Sequence, residues 1–218
     1  MKIDVHGHAL FAEAIGKAGK WGPRYEQEKD GRWKLVVGPY EVKLPPQPDG
    51  VPFDPMEDMR KNWDPAGIVK KIDAAGVDMA ALTISPLFYF YWAEPEIAIP
   101  FTQLQNDLMA RDCARFSDRL FYLAALPLQD PAAAVAEIKR VAAMGAKGVN
   151  LGTDDFGGKN FDDEAYWPVF EALQEHNLPI FIHPYPSAMA TGKEDRYNLS
   201  WVLGYCYSES VAFAHLTL

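Results

Sequence analysis

The sequence predicts an α/β fold in which parallel strands alternate with helices. Short apolar runs typical of buried strands end near His6, Ile84, Ala125, Gly152 and His183. Helical segments lie between successive runs from Ile84 onward, and this alternation is typical of parallel βαβ units. Two of the five strands end in histidine, which would bring imidazoles to the same edge of the sheet.

The first strand carries a pair of histidines with the spacing of metal ligands. Residues 1 to 8 are Met-Lys-Ile-Asp-Val-His-Gly-His. Because successive side chains of a strand point to opposite faces, His6 and His8 share a face, and Gly7 allows the backbone to approach closely. His183 ends a later apolar strand, and neutral imidazole is the commonest metal ligand among side chains. We therefore predict that His6, His8 and His183 bind one divalent ion, with an open coordination position typical of a catalytic site.

Helix boundaries are marked by capping residues. Asp64 and Pro65 predict a helix start, and Gly76 its end. Asp130 and Pro131 predict another start, with a helix through Ala143. Further helices are expected over about 101–116 and 162–176, and strands over 79–84, 120–125 and 148–152. His176 and His215 fall in helical segments, so we expect structural roles for both.

Residues 9 to 62 lack clear periodicity and are predicted to form an insertion after the first strand. Lys29-Asp30-Gly31 is expected to be the turn of a small β-hairpin, and the proline-rich stretch 44–50 cannot continue a sheet. Such an insertion either carries function at the mouth of a site or is a solvated decoration.

An aromatic run, Phe88-Tyr-Phe-Tyr-Trp92, follows the strand 79–84. Loops at the carboxyl ends of barrel strands form substrate walls. We therefore predict that Phe88 and Trp92 bind substrate, with packing in the core as the alternative.

Composition restricts the partners. The 218 residues carry a net charge of −9 and no clustered basic stretch, which argues against nucleic acid. Two cysteines are too few for a disulfide framework, and no run approaches the ~20 apolar residues of a membrane span. We expect a cytoplasmic protein with a small-molecule substrate and no membrane partner.

Several short blocks occur together in one order. They are Asp4-Val-His6-Gly-His8, Trp63-Asp64-Pro65, Tyr91-Trp92-Ala93-Glu94-Pro95-Glu96, Asn106-Asp107-Leu108, Leu126-Pro127-Leu128-Gln129 and Ile182-His183-Pro184. Over nearly the whole chain these blocks resemble the amidohydrolase superfamily of metal-dependent enzymes, and within it the aminocarboxymuconate-semialdehyde decarboxylases. The resemblance favours the decarboxylase branch over the hydrolases.

The resemblance implies a (β/α)8 TIM barrel, of which about five of the eight βα units are expected here. Residues 1–218 would then form a single, incomplete barrel domain with the insertion at about 9–62. The family's catalytic base and a metal-binding aspartate belong to motifs expected beyond Leu218. We therefore assign no catalytic base in this chain and expect the 218 residues alone to be inactive.

The resemblance implies metal-dependent, non-oxidative decarboxylation of a small carboxylic acid, either muconate-semialdehyde-like or aromatic. The expected ion is zinc, and the expected assembly is a homodimer.

The family's substrate-binding arginine corresponds to Met56 in this sequence. Arg60 is the nearest arginine that could replace it and bind substrate, and the alternative is that Arg60 is a surface residue. Two alternatives stay open: a metal-dependent hydrolase or hydratase with the same ligands, or an inactive truncated fragment.

Overall fold

The computed structural model describes residues 1–47, 52–153, 158–185, 197 and 199–218. Its strands are β1 (Ile3–Ala9), β2 (Arg24–Gln27), β3 (Trp33–Val37), β4 (Tyr40–Lys43), β5 (Met79–Ile84), β6 (Leu120–Tyr122), β7 (Val149–Gly152) and β8 (Ile180–His183). Its α-helices are α1 (Pro55–Asn62), α2 (Pro65–Ala74), α3 (Pro95–Ala114), α4 (Pro131–Ala143), α5 (Trp167–Glu175), α6 (Leu199–Val202) and α7 (Gly204–Thr217).

Parallel strands form the centre of the fold and follow one another in chain order. β1, β5 and β6 pair in parallel, and so do β7 and β8. A parallel bridge between Ala124 and Val149 joins the two groups. The prediction of an α/β fold with a parallel sheet is confirmed.

The backbone of β1 is adapted to present its histidines. Its register against β5 shifts between Asp4 and Gly7. Such an irregularity changes the direction in which side chains near the strand end point. At Gly7 an added Cβ would lie 2.9 Å from the Ala81 carbonyl oxygen, so only glycine allows this approach. The other edge of β1 has no partner strand among the described residues, and the apolar side chains of Ile3 and Val5 are 42% and 52% exposed.

The insertion holds more regular structure than the sequence predicted. The hairpin β2–β3 is extended by β4 into a three-stranded antiparallel sheet, and α1 follows. The Asp54 side chain caps α1 by accepting hydrogen bonds from two backbone N–H groups. We missed both elements because β4 has four residues and α1 has eight, too few for a periodic pattern to stand out. Residues 48–50 of the proline-rich stretch lie outside the described residues.

The capping residues correctly predicted where two helices begin. The Asp64 carboxylate accepts a hydrogen bond from the Gly67 N–H at 3.1 Å, and α2 starts at Pro65. Asp130 caps α4 in the same way, at 3.0 Å from the Ala133 N–H. The long helix α3 starts at Pro95 rather than near residue 101, because the helix continues through Pro100.

A buried polar network fixes the chain just after β6. Asn106, which is fully buried on α3, donates to the Ala125 carbonyl at 2.9 Å and accepts from the Ala125 N–H at 3.0 Å. It also donates to buried Glu137 on α4 at 2.6 Å, and Arg140 donates to both oxygens of that carboxylate. These bonds join two helices to the carboxyl end of a strand.

We predict that Asn106→Ala lowers the free energy of unfolding by about 3 kcal/mol, because it leaves the buried N–H and C=O of Ala125 without a partner and removes one of the hydrogen bonds to Glu137. Urea denaturation followed by circular dichroism would measure this. Gln103→Ala, a half-buried site on the same helix, serves as control and should change stability by less than about 1 kcal/mol. Equal losses in the two variants would contradict the role of the network.

Candidate metal centre

Three imidazole nitrogens converge where β1 and β8 end. The Nε2 atoms of His6 and His8 lie 3.0 Å apart, those of His8 and His183 lie 3.1 Å apart, and those of His183 and His6 lie 3.0 Å apart. One ion can reach all three nitrogens at a bond length of about 2.0–2.1 Å. Among the described residues this is the one cluster of three or more such ligand groups. The donor set therefore fits a divalent metal.

His183 is held in the protonation form that a ligand needs. Its Nδ1 lies 2.7 Å from the carbonyl oxygen of Pro184, a partner that can only accept. Nδ1 therefore carries the proton, and in the neutral ring Nε2 presents its lone pair to the other two histidines. Metal-ligating histidines commonly donate their second ring N–H to a backbone carbonyl in this way.

Burial keeps two of the rings neutral. It lowers the pKa of His8 to about 4, and the neighbouring His183 and His6 act in the same direction. Burial also lowers the pKa of His183, against the opposing effect of its bond to Pro184. Since a metal binds neutral imidazole, these rings need not lose a proton near pH 7 before binding.

The triad opens into a cavity of about 710 Å³ whose wall is mostly apolar. Five chain segments build this wall: the ends of β1 and β8, the strand β4, the turn after β5, and α7. Besides the histidines, its lining residues are Tyr40, Glu41, Val42, Ser85, Pro86, Leu87, Phe181, Ile182, Pro184, Tyr205 and Glu209.

The wall residues on β4 and α7 escaped the sequence analysis. The strand β4 belongs to the insertion, for which a role at the mouth of a site was one of two options, and it contributes Tyr40, Glu41 and Val42. Tyr205 and Glu209 lie on α7, where no motif distinguishes them from other helical residues. Signals existed for the turn 85–87, which directly follows a predicted strand, and for Phe181, Ile182 and Pro184, which lie in or next to the strand predicted to end at His183.

Arg60 lies elsewhere. Its exposed side chain borders a separate depression together with Arg111 and Arg115, and it does not line the cavity at the histidines. It makes no ion pair with another described residue. The structure therefore gives no support to Arg60 as a substrate ligand, and that assignment stays a prediction.

Phe88 and Trp92 serve packing in this structure. Phe88 is 2% exposed and stacks on Phe101 of α3, so it faces the core rather than a ligand. Trp92 packs edge-to-face on Trp21 and covers Gly38, where an added Cβ would come within 1.9 Å of the indole ring. These contacts fit the alternative of core packing, because large aromatic side chains gain most by leaving water, and substrate binding by Phe88 and Trp92 stays a prediction.

The loop that carries these aromatics is held through its backbone. Gln105 donates to the Phe88 carbonyl at 3.0 Å, and Gln129 donates to the Phe90 carbonyl at 3.0 Å. The Tyr91 hydroxyl accepts from the Gly152 N–H at 3.2 Å, which ties the loop to the end of β7. The loop thus supports the strand ends.

Comparison with known proteins identifies the family. The sequence profile of the family described as Amidohydrolase matches residues 3–204. The chain belongs to this family. The resemblance predicted from the sequence blocks, to this family and to its decarboxylases, is confirmed.

Individual relatives are decarboxylases. The 2-amino-3-carboxymuconate-6-semialdehyde decarboxylase of Dictyostelium discoideum is 27% identical to this chain over 205 residues. The match covers 94% of this chain and 54% of the Dictyostelium protein. Among solved structures, 5-carboxyvanillate decarboxylase from Sphingomonas paucimobilis matches with a TM-score of 0.70 and 22% identity, over 99% of this chain and 62% of its own. Dihydroxybenzoic acid decarboxylase from Polaromonas, solved with manganese and the inhibitor 2-nitroresorcinol, matches with a TM-score of 0.69 and 19% identity, over 99% of this chain and 59% of its own.

The chain spans about half the length of the Dictyostelium decarboxylase. Within the described residues, no helix is both long enough and apolar enough to cross a bilayer.

We predict that the metal-free protein loses stability as the pH falls from about 6.5 to about 4. The pKa of His8 is lower in the folded than in the unfolded chain, so across this window the unfolded chain binds the proton first and is favoured. Urea denaturation in the presence of a chelator, at several pH values, would measure the loss. His8→Asn should show a smaller loss over the same window, and identical pH profiles would contradict the prediction.

Proposed function

We propose that the chain carries the metal-binding part of a non-oxidative decarboxylase, a carbon–carbon lyase that acts on a small aromatic or muconate-semialdehyde-like acid. The observation that carries this proposal is the convergence of three imidazole nitrogens, 3.0–3.1 Å apart, at one end of a largely apolar cavity. The decarboxylases among the relatives support the reaction class.

We propose zinc as the ion, because a set of three imidazole ligands suits it. Manganese is the competing candidate, since it occupies the related Polaromonas enzyme. Metal analysis of the purified protein separates the two.

When bound, the ion would supply Lewis-acid chemistry at the histidine end of the cavity, by polarising a substrate oxygen or activating water. The chain itself supplies orientation and a dry environment. The carbonyl of Pro184 fixes the His183 ring, and Leu87, Phe181 and Ile182 line the cavity with apolar surface. A carboxylate that is poorly solvated loses less hydration free energy when it becomes neutral carbon dioxide. These apolar walls therefore favour decarboxylation.

We further propose that the five parallel strands are five consecutive strands of an eight-stranded barrel. β1 and β8 are the outermost strands of the described sheet, and in a flat sheet they would lie about 19 Å apart at the usual spacing of about 4.8 Å. Their histidine nitrogens nevertheless come within 3.1 Å of one another, which requires strong curvature. A curved parallel sheet with helices between its strands is the wall of a (β/α)8 barrel.

We predict that His183→Ala weakens divalent-metal affinity at least about a hundredfold, because it removes one of the three proposed ligands. Zinc and manganese content after dialysis, together with a competition titration against a chelator, would measure this. His176→Ala is the matched control, since His176 lies at the carboxyl end of α5 and outside the triad. Equal metal content in the two variants would contradict the site.

We also predict that residues 1–218 alone do not release carbon dioxide at a rate of ~1 s⁻¹ or above, which is typical of enzymes. Among the described residues the metal-ligand cluster holds three histidines and no carboxylate, and loss of a general base costs about 10²–10⁴ in rate. A screen of aromatic acids with carbon dioxide release as readout would test this. Rapid release by this chain would show that the base lies within it, whereas hydrolysis without carbon dioxide would favour a hydrolase.

The expected homodimer and cytoplasmic location stay predictions.

A further inference from the structure

We propose that Glu94 positions strand β4 as a wall of the histidine cavity and thereby determines how tightly the cavity holds a ligand. Glu94 belongs to the block 91–96, whose aromatic side chains do not line the cavity. The inference rests on the proposed function, because the ligand is taken to be an acid bound beside the metal. It adds a positioning residue that itself lies outside the cavity wall.

Glu94 holds the insertion with both of its carboxylate oxygens. The Lys20 ammonium donates to Oε1 at 2.6 Å, and the Trp21 indole N–H donates to Oε2 at 2.6 Å. The hydrogen bond from Lys20, followed by the one from Trp21, lowers the pKa of Glu94 to about 2, so the carboxylate is charged at neutral pH. An isolated exposed ion pair contributes little to stability. Here the charged acceptor also bonds a rigid, half-buried ring, which makes the contact stronger and more directional.

Trp21 connects Glu94 to the start of β4. Its backbone carbonyl accepts a hydrogen bond from the Gly38 N–H at 2.9 Å, and Gly38 lies two residues before β4. The Trp92 ring packs edge-to-face on Trp21 at 5.2 Å between ring centroids, and it also covers Gly38. One residue is therefore bonded to Glu94 through its side chain and to the β3–β4 turn through its backbone.

Both chain segments that Glu94 joins contribute to the cavity wall. β4 belongs to the insertion, and the turn 85–87 belongs to the loop that leads to Glu94. The Tyr40 ring, which lines the cavity, also packs edge-to-face on Trp92 at 6.4 Å between ring centroids. Glu94 thus fixes one part of the wall relative to another. A gap of about 0.5–1 Å removes a quarter to a half of the dispersion attraction of a contact, so a displaced β4 would hold a ligand less tightly.

Hydrogen exchange measured by NMR spectroscopy tests whether Glu94 fixes the turn before β4. Glu94→Ala should speed exchange of the Gly38 amide about tenfold and leave the amides of β5 unchanged. Glu94→Gln keeps one acceptor for the indole N–H and should show a smaller increase. Glu96→Ala, which removes an exposed glutamate from the same block, is the matched control and should behave as the wild type.

Isothermal titration of the metal-loaded protein with benzoate tests whether this contact determines ligand affinity. Glu94→Ala should weaken benzoate binding about fivefold and leave zinc affinity within about twofold, because β1 and β8 hold the histidines. A distortion of the whole site would weaken both. Trp21→Phe keeps a ring but lacks the N–H donor, so it should reproduce most of the effect. Adding it to Glu94→Ala should weaken benzoate binding no further, because both substitutions break one link.

The outcomes separate the two levels of the argument. A wild-type protein that takes up neither zinc nor manganese, or that takes up metal without binding benzoate, would contradict the proposed function and the ligand part of the inference with it. Unchanged Gly38 exchange or unchanged benzoate affinity in Glu94→Ala would overturn the inference alone. Equal losses of zinc and benzoate affinity in that variant would do the same, since they would place the effect at the histidines.

Discussion

The meeting of the two outermost strands at three histidine nitrogens is the constraint on which the rest of the structure depends. His6 and His8 come from β1 and His183 from β8, which are separated by three intervening strands. Their contact at 3.0–3.1 Å requires the sheet to curve, and that curvature creates the concave space in which a substrate could lie. The histidine cluster and the cavity are thus consequences of the same bend.

Several layers of contacts hold the strand ends in place. Asn106 fixes both backbone groups of Ala125 after β6, and Tyr91 accepts from the backbone of Gly152 at the end of β7. The insertion is joined to this framework where Gly38 packs against the Trp92 ring. This packing matters for function because β4, which follows Gly38, forms one wall of the cavity. An aromatic run that first suggested substrate contacts therefore contributes by positioning other residues.

The cavity combines clustered imidazoles with a mostly apolar wall. Three imidazole nitrogens lie at one end, apolar side chains cover most of the wall, and the acidic residues Glu41 and Glu209 lie on β4 and α7. Neutral imidazoles are favoured there because burial disfavours their protonated forms, as the lowered pKa of His8 to about 4 shows. The environment that prepares the histidines for a metal also leaves a carboxylate poorly solvated.

The sequence by itself determined the elements with strong local signals. The capping residues Asp64 and Asp130 defined two helix starts, because a cap and a following proline act within one turn. The five parallel strands and the three clustered histidines followed from apolar runs that end in distinctive residues, although β6 ends at Tyr122 rather than near Ala125. Only the tertiary structure decided that β4 and α7 form walls and that Phe88 is buried in the core. Those outcomes depend on contacts between segments far apart in the chain, which no local pattern of residues encodes.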